Sequence, residues 1–212
     1  MKTYIDSLGR QVSEPVNVSG SETGGLHIGL YRTLRGIDFG LHSDFFLART
    51  VNYVSDLLND NDTYGAGGGL SAVKYVPDRY SVSVSSTVNY NYTRSSVDPG
   101  AAPHFWTQGG NAEFSYFVLP GLEVNTSCNY SWRQKTSVFG NDNATVIWNA
   151  FISKNVLDNK WTLSWRINNI LDKNSGISRS INGNTVSQTA TNVIGRHWMV
   201  SVTYRFKRQG RK

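Results

Sequence analysis

Few residues of this 212-residue sequence have the types and spacing that chemistry needs. Its histidines are His27, His42, His104 and His197. Imidazole is the usual neutral-pH proton carrier and zinc ligand. No His-x-x-x-His and no glutamate-paired spacing occurs, so no metal motif is spelled out. A serine hydrolase would need its nucleophile on a strained, glycine-flanked elbow. The serines here fall in alternating runs instead, as they would on a wet wall. Asn59-Asp60-Asn61-Asp62 is dense in the hard oxygens that calcium prefers. It lacks the glycine and distal glutamate of an EF-hand and reads as a solvated loop. Cys128 is the single cysteine, so an internal disulfide is excluded, and it reads as a small apolar filler. Asp44, Glu123, Arg133 and Arg166 could tune a solute path, though the plainer reading is the water-facing half of alternating strands. No catalytic residue, metal or cofactor is expected.

The elements that must carry these residues follow from composition and period. Aromatics make up 12% of the chain and its mean hydropathy is −0.37. No run of about 18 apolar residues occurs, which excludes a transmembrane helix but not strands that turn alternate residues to lipid. Helical periodicity is scarce, so helix is a minor component at most. The formal net charge is +6. Four of those positive charges are Lys207, Arg208, Arg211 and Lys212, a basic tail beyond the last strand. A nucleic-acid partner would rest on that tail alone and is not expected.

Arg196 to Phe206 shows the design most clearly. Read with a period of two, one face carries Trp198, Val200, Val202, Tyr204 and Phe206, and the other His197, Met199, Ser201, Thr203 and Arg205. Aliphatics bracketed by aromatics are the outward pattern of a transmembrane barrel. Eight residue steps of roughly 3.3 Å, tilted about 40°, rise about 20 Å, near the roughly 25 Å apolar band of such barrels. Tyr80 to Thr93 repeats the design. Tyr80, Val82, Val84, Val88, Tyr90 and Tyr92 face one way, with Ser, Thr and Asn alone on the other. Trp132, Trp148, Trp161 and Trp165 are further candidates for interfacial aromatics.

Turn signals at 35–36, 77–79, 120–121 and 158–159 alternate with longer polar stretches, among them 1–25, 57–63, 94–110, a loop through 139–142, and 172–195. Short turns on the periplasmic side and long loops outside are a second barrel signature. The glycines at 65 and 67–69 weaken the strand from Tyr64 and point to a bulge, a bend or the close approach of another segment. The expected fold is all-β: an antiparallel up-and-down transmembrane barrel of about nine to ten strands, residues 1–206, followed by the tail 207–212. Counting back from the last strand, the strand at Leu26 starts outside, with the tip of an earlier upward strand at Thr3–Ile5. An odd count, an outer start and a polar N-terminus unlike a signal peptide together suggest the C-terminal part of a larger barrel.

Several stretches resemble the C-terminal half of TonB-dependent-receptor-like outer-membrane β-barrel proteins. They are Pro15–Val18, Leu119-Pro120-Gly121-Leu122, Trp161–Asp172 with its Asn-Asn-Ile-Leu-Asp end, and the closing Val202–Phe206. The resemblance implies the cell outer membrane, a lipid-facing exterior, solute uptake and no enzymatic activity. It implies that the terminal strand, through Trp198, Tyr204 and above all Phe206, is read by the barrel-assembly machinery. A plug domain and TonB are implied partners that these residues do not encode. The alternatives are a soluble secreted β-sandwich or lectin-like module, and a small self-contained structural barrel.

Overall fold

The computed structural model describes residues 2–206 apart from Ser55, Ala101, Gly183 and Asn184. The basic tail lies outside the described residues. The described chain holds strands and no helix. Two short strands, β1 (Lys2–Ile5) and β2 (Gln11–Glu14), precede β3 (Glu22–Leu34), β4 (Ile37–Val54), β5 (Leu57–Val76) and β6 (Tyr80–Ser95). Next come β7 (His104–Leu119), β8 (Leu122–Arg133), β9 (Asn143–Val156) and β10 (Trp161–Asn168). A small ribbon, β11 (Ile177–Asn182) and β12 (Thr185–Ala190), leads to β13 (His197–Tyr204). Each strand from β3 to β10 pairs antiparallel with the next, and β13 pairs with β10. These are the nine strands expected. The sheet is open: among the described residues β13 pairs only with β10 and β3 only with β4, and β1, beside the end of β4, carries β2 as a further edge.

The short turns set the register. Arg35 and Gly36 both have positive φ, 52° and 73°, as the two-residue primed turn of a right-twisted hairpin requires. At Pro120–Gly121 the proline fixes the first turn residue and the glycine takes φ 72°. Beside Pro120–Gly121 the register shifts once, between Phe117 and Leu119, before β7 and β8 pair evenly. From the turns at 35–36 and 77–79 the pairing runs on without a slip. Leu34↔Ile37 leads to Glu22↔Arg49, and Val76↔Tyr80 to Asn61↔Ser95.

One face of this sheet is apolar and exposed. Leu26, Ile28 and Leu30 of β3, Phe39, Leu41 and Phe45 of β4, and Val84 and Val88 of β6 are all open. Trp106 and Phe114 of β7, and Val200 and Val202 of β13, continue the same surface. The shielded residues are polar: Asn59, Asn61, Thr93, Ser95, Ser115 and Asn125 all lie on the opposite face. The buried apolar side chains among the described residues are Val51 and Phe139. Each large apolar side chain left in water forgoes about 1.5–3 kcal/mol. About ten of them would outweigh the 5–15 kcal/mol by which a domain is usually stable. This surface therefore requires an apolar solvent. A β-sandwich would bury such residues between two sheets. Here there is one layer, and the only other sheet among the described residues is the β11–β12 ribbon.

Four expectations need correction. Leu57–Thr63 is not a loop but the first part of β5, paired with β4 from Val54↔Leu57 onward. The alternation of short and long connections therefore breaks at 55–56. The stretch 1–25 contains the β1–β2 hairpin and the start of β3. There β1 runs parallel to β4 through Lys2↔Tyr53 and Thr3↔Val54, in the direction expected for Thr3–Ile5. The loop before β7 ends at Pro103, and His104 is already strand. Residues 172–195 hold a paired ribbon.

The outer half of β5 is strand because its asparagines find partners there. Asn59 is fully buried. Its amide donates to Asn52 Oδ1 at 3.0 Å, and its Oδ1 accepts from Ser95 Oγ at 2.7 Å and Val97 N at 3.2 Å. Replacing it by alanine strands those groups at about 1–3 kcal/mol of local stability. Asn59→Ala is therefore expected to lower hydrogen-exchange protection at residues 52–61 and 95–97 by roughly 10- to 100-fold, with protection in β8–β10 unchanged.

Candidate functional site

The polar face is built by cross-strand pairs of small polar side chains. Asn125 donates to Ser115 Oγ at 2.7 Å and to Glu113 Oε1 at 3.0 Å. Asn111 donates to Asn129 at 2.9 Å, Thr162 to Asn155 at 2.8 Å, and Ser164 meets Ser201 at 2.6 Å. These groups present hydroxyls and amides with few charges, so the wall can wet and hydrogen-bond a solute without fixing it. Glu123, Arg166 and Asp44 sit on this face as expected. Arg166 lies over the Phe151 ring, 5.3 Å from its centroid.

Two of the histidines come together here. His27 Nδ1 is 2.6 Å from Asp44 Oδ1, and His42 Nε2 is 3.7 Å from Asp44 Oδ2. The two rings stack at 6.0 Å. Sequence spacing missed this group, although the turn contains it: a register begun at Leu34↔Ile37 makes His27 the partner of Asp44. The second contact is too long for ligation, and no cluster of three His, Cys, Asp or Glu suited to a metal occurs among the described residues. His104 begins β7, and His197 meets Asn168 at 3.0 Å. Asp60 pairs with Arg49 at 2.6 Å while Asn59 and Asn61 point to the other face, so the calcium candidate is not assembled.

The glycines of β5 make room for side chains that lie flat on this face. A Cβ at Gly65 would run into the Phe46 ring, one at Gly67 into Asn89, and one at Gly69 into His42. The register is unbroken there, so of the readings offered by the glycines it is close approach that holds.

At the long-loop end, β8 finishes in Arg133. Its guanidinium lies over the Phe105 ring at 4.0 Å and near Phe139 at 5.4 Å. Arg179 of β11 lies 4.9 Å from the same Phe139 ring. Arg133 Nη1 donates to the Arg179 carbonyl at 2.6 Å, and Asn143 donates to the Ile177 carbonyl at 3.2 Å. Arg179 donates to Asn141 O and to Gln188 Oε1. These contacts fold the base of the ribbon over the end of the polar face. Arg133 and Arg179 are 46 residues apart, and no local signal in the sequence links them.

The expected interfacial aromatics lie on the apolar face. Tyr90 packs on Trp106 with centroids 5.0 Å apart, and Tyr92 on Tyr64 at 6.1 Å, towards the long-loop end of their strands. Trp161 meets Tyr204 at 4.7 Å, and Tyr204 meets Phe206 edge-on at 4.5 Å, at the short-turn end. Trp165 stacks on Trp198 at 4.8 Å, partway along β10 rather than at its tip. Trp148 Nε1 donates to Thr126 Oγ1 at 2.6 Å, which satisfies its polar edge on an apolar face. Tyr80 opens β6 opposite Tyr116, and Trp132 lies at the far end of β8 beside Ala144. Cys128 stands between Ala112 and Trp148 on the apolar face, half-buried, as a small filler would.

The family model described as outer membrane protein beta-barrel family matches residues 50–204. No curated protein and no solved structure matches the chain.

Phe139 is buried between the two guanidinium groups. A ring serving two cations contributes about 1–2 kcal/mol. Phe139→Ala is therefore expected to loosen the ribbon and speed tryptic cleavage after Arg179 by about tenfold, leaving the β6–β8 ladder protected.

Proposed function

Because the chain belongs to the outer membrane protein beta-barrel family and resides in the outer membrane, we propose that it forms the wall of a solute-uptake barrel of the TonB-dependent-receptor type. It catalyses no reaction in this reading. The observation that carries it is the division of one sheet into an exposed apolar face and a polar face rich in hydroxyls and amides. The first suits lipid, and the second suits a water-filled path. An open sheet edge is not tolerated in hydrocarbon, so further strands pair with β3 and β13 to close the ring. A plug domain inside that ring and TonB beneath it supply gating and energy. Tyr80, Tyr90, Tyr92, Trp132, Trp148, Trp161 and Trp165 anchor the wall at the two interfaces.

Uptake is tested by measuring accumulation of labelled sugars, metal chelates and nucleosides in wild-type cells, in cells without this gene and in cells without TonB. At least one solute is expected to fall about tenfold or more in both mutants. A panel unaffected by loss of the gene would contradict uptake. A solute lost with the gene but retained without TonB would contradict energised transport.

Barrel assembly relies on the aromatic end of β13, where Trp161, Tyr204 and Phe206 pack together. Phe206→Ala is expected to cut the heat-shifted, folded band in outer-membrane fractions several-fold while synthesis continues. An unchanged folded fraction would remove Trp198, Tyr204 and Phe206 from the assembly signal.

A further inference from the structure

A cavity of about 400 Å³ lies where the β11–β12 ribbon crosses the polar face. Its size falls within the roughly 300–1,000 Å³ of small-molecule sites. Thr87, Asn89, Ser131 and Asn143 line it with hydroxyls and amides, and Arg133 and Arg179 bring two guanidinium groups. We propose that this cavity holds the anionic group of a small hydroxyl-bearing solute, with Arg133 and Arg179 as its ligands. The proposal deepens the uptake reading and rests on it.

Three observations carry the assignment. Arg133 spends one N–H on the Arg179 carbonyl, and its Nε and Nη2 have no hydrogen-bond partner. Both are covered, with the Phe105 and Phe139 rings beside them, so an anion reaches them only as that cover shifts. Shielded guanidinium donors normally meet a carboxylate or phosphate, whose paired oxygens match their planar fork. The two cations also share one aromatic ring, and neither forms an ion pair among the described residues. Like charges brought together this closely are stabilised by an anion between or beside them. Finally, the uncharged lining offers both donors and acceptors, which suits a hydroxyl-bearing body rather than a bare ion. The ribbon contributes Arg179 and the Ile177 and Arg179 carbonyls, so the site is complete only with the ribbon docked.

The test is calorimetric titration of the full chain, extracted from outer membranes in mild detergent, with glucuronate, glucose 6-phosphate and glucose. At least one of the two anionic sugars is expected to bind about tenfold or more tightly than glucose, since a charge-assisted fork adds that much. Arg133→Gln and Arg179→Gln are each expected to weaken that binding by a similar factor. Asp158→Asn, in the short turn between β9 and β10 at the other end of the sheet, is expected to leave it unchanged. Where a glutamine variant loses its heat-shifted band, the lysine variant replaces it. That variant keeps the charge without the planar fork and is expected to bind several-fold more weakly. Equal affinity for the three sugars, no binding of any, or unaltered binding by the arginine variants would overturn the assignment. Binding without uptake in cells would sink the transport reading and leave this site standing. Uptake without such binding would do the reverse.

Discussion

Hydrocarbon offers no partner for a backbone N–H or C=O, and this one constraint orders the rest of the structure. A strand can enter a bilayer only if a neighbour on each side takes its hydrogen bonds. The strands from β4 to β10 meet that demand one after another, and the edges β3 and β13 meet it on one side. Its price falls on the side chains, because a ladder with lipid on one face and water on the other forces them to alternate. Hence polar residues are shielded and apolar ones exposed, the reverse of a soluble domain.

The same constraint stops at the membrane surface. A tilted strand needs about 9–11 residues to cross, whereas β4 has 18 and β5 has 20. The excess projects beyond the bilayer as ordered ribbon. Its polar residues are locked by cross-strand bonds around Asn59 instead of being left to water. The segment after β10 behaves likewise. It closes into β11–β12 and turns back over the polar face through Arg133, Phe139 and Arg179. Beyond the membrane the chain is free of that constraint, and within it the chain is committed to the wall.

Most of the wall was legible in the sequence, because period-two alternation is a local pattern. Trp198 to Phe206 and Tyr80 to Tyr92 display it openly, and the turns at 35–36 and 120–121 fix register within a hairpin. What stayed hidden depends on contacts between distant residues. Leu57–Thr63 looks like a loop because Asn and Asp usually signal one; the asparagines belong to a strand only through Asn52, Ser95 and Val97. The ribbon at 177–190 was obscured in the same way by its Asn, Ser and Thr. His27 and Asp44 were recoverable by register arithmetic, whereas the Arg133–Arg179 pair joins two connections that no hairpin relates.

The central claim is that one face of this sheet meets lipid and the other water. Nitroxide labels placed singly at each position from 81 to 91, with Cys128 replaced by serine, test it by their relaxation with oxygen and with a water-soluble nickel chelate. The account predicts a strict period of two: 82, 84, 86, 88 and 90 open to oxygen, and 81, 83, 85, 87, 89 and 91 open to the chelate. Accessibility that follows no alternation, or that alternates with the chelate on the valine-bearing face, would contradict it.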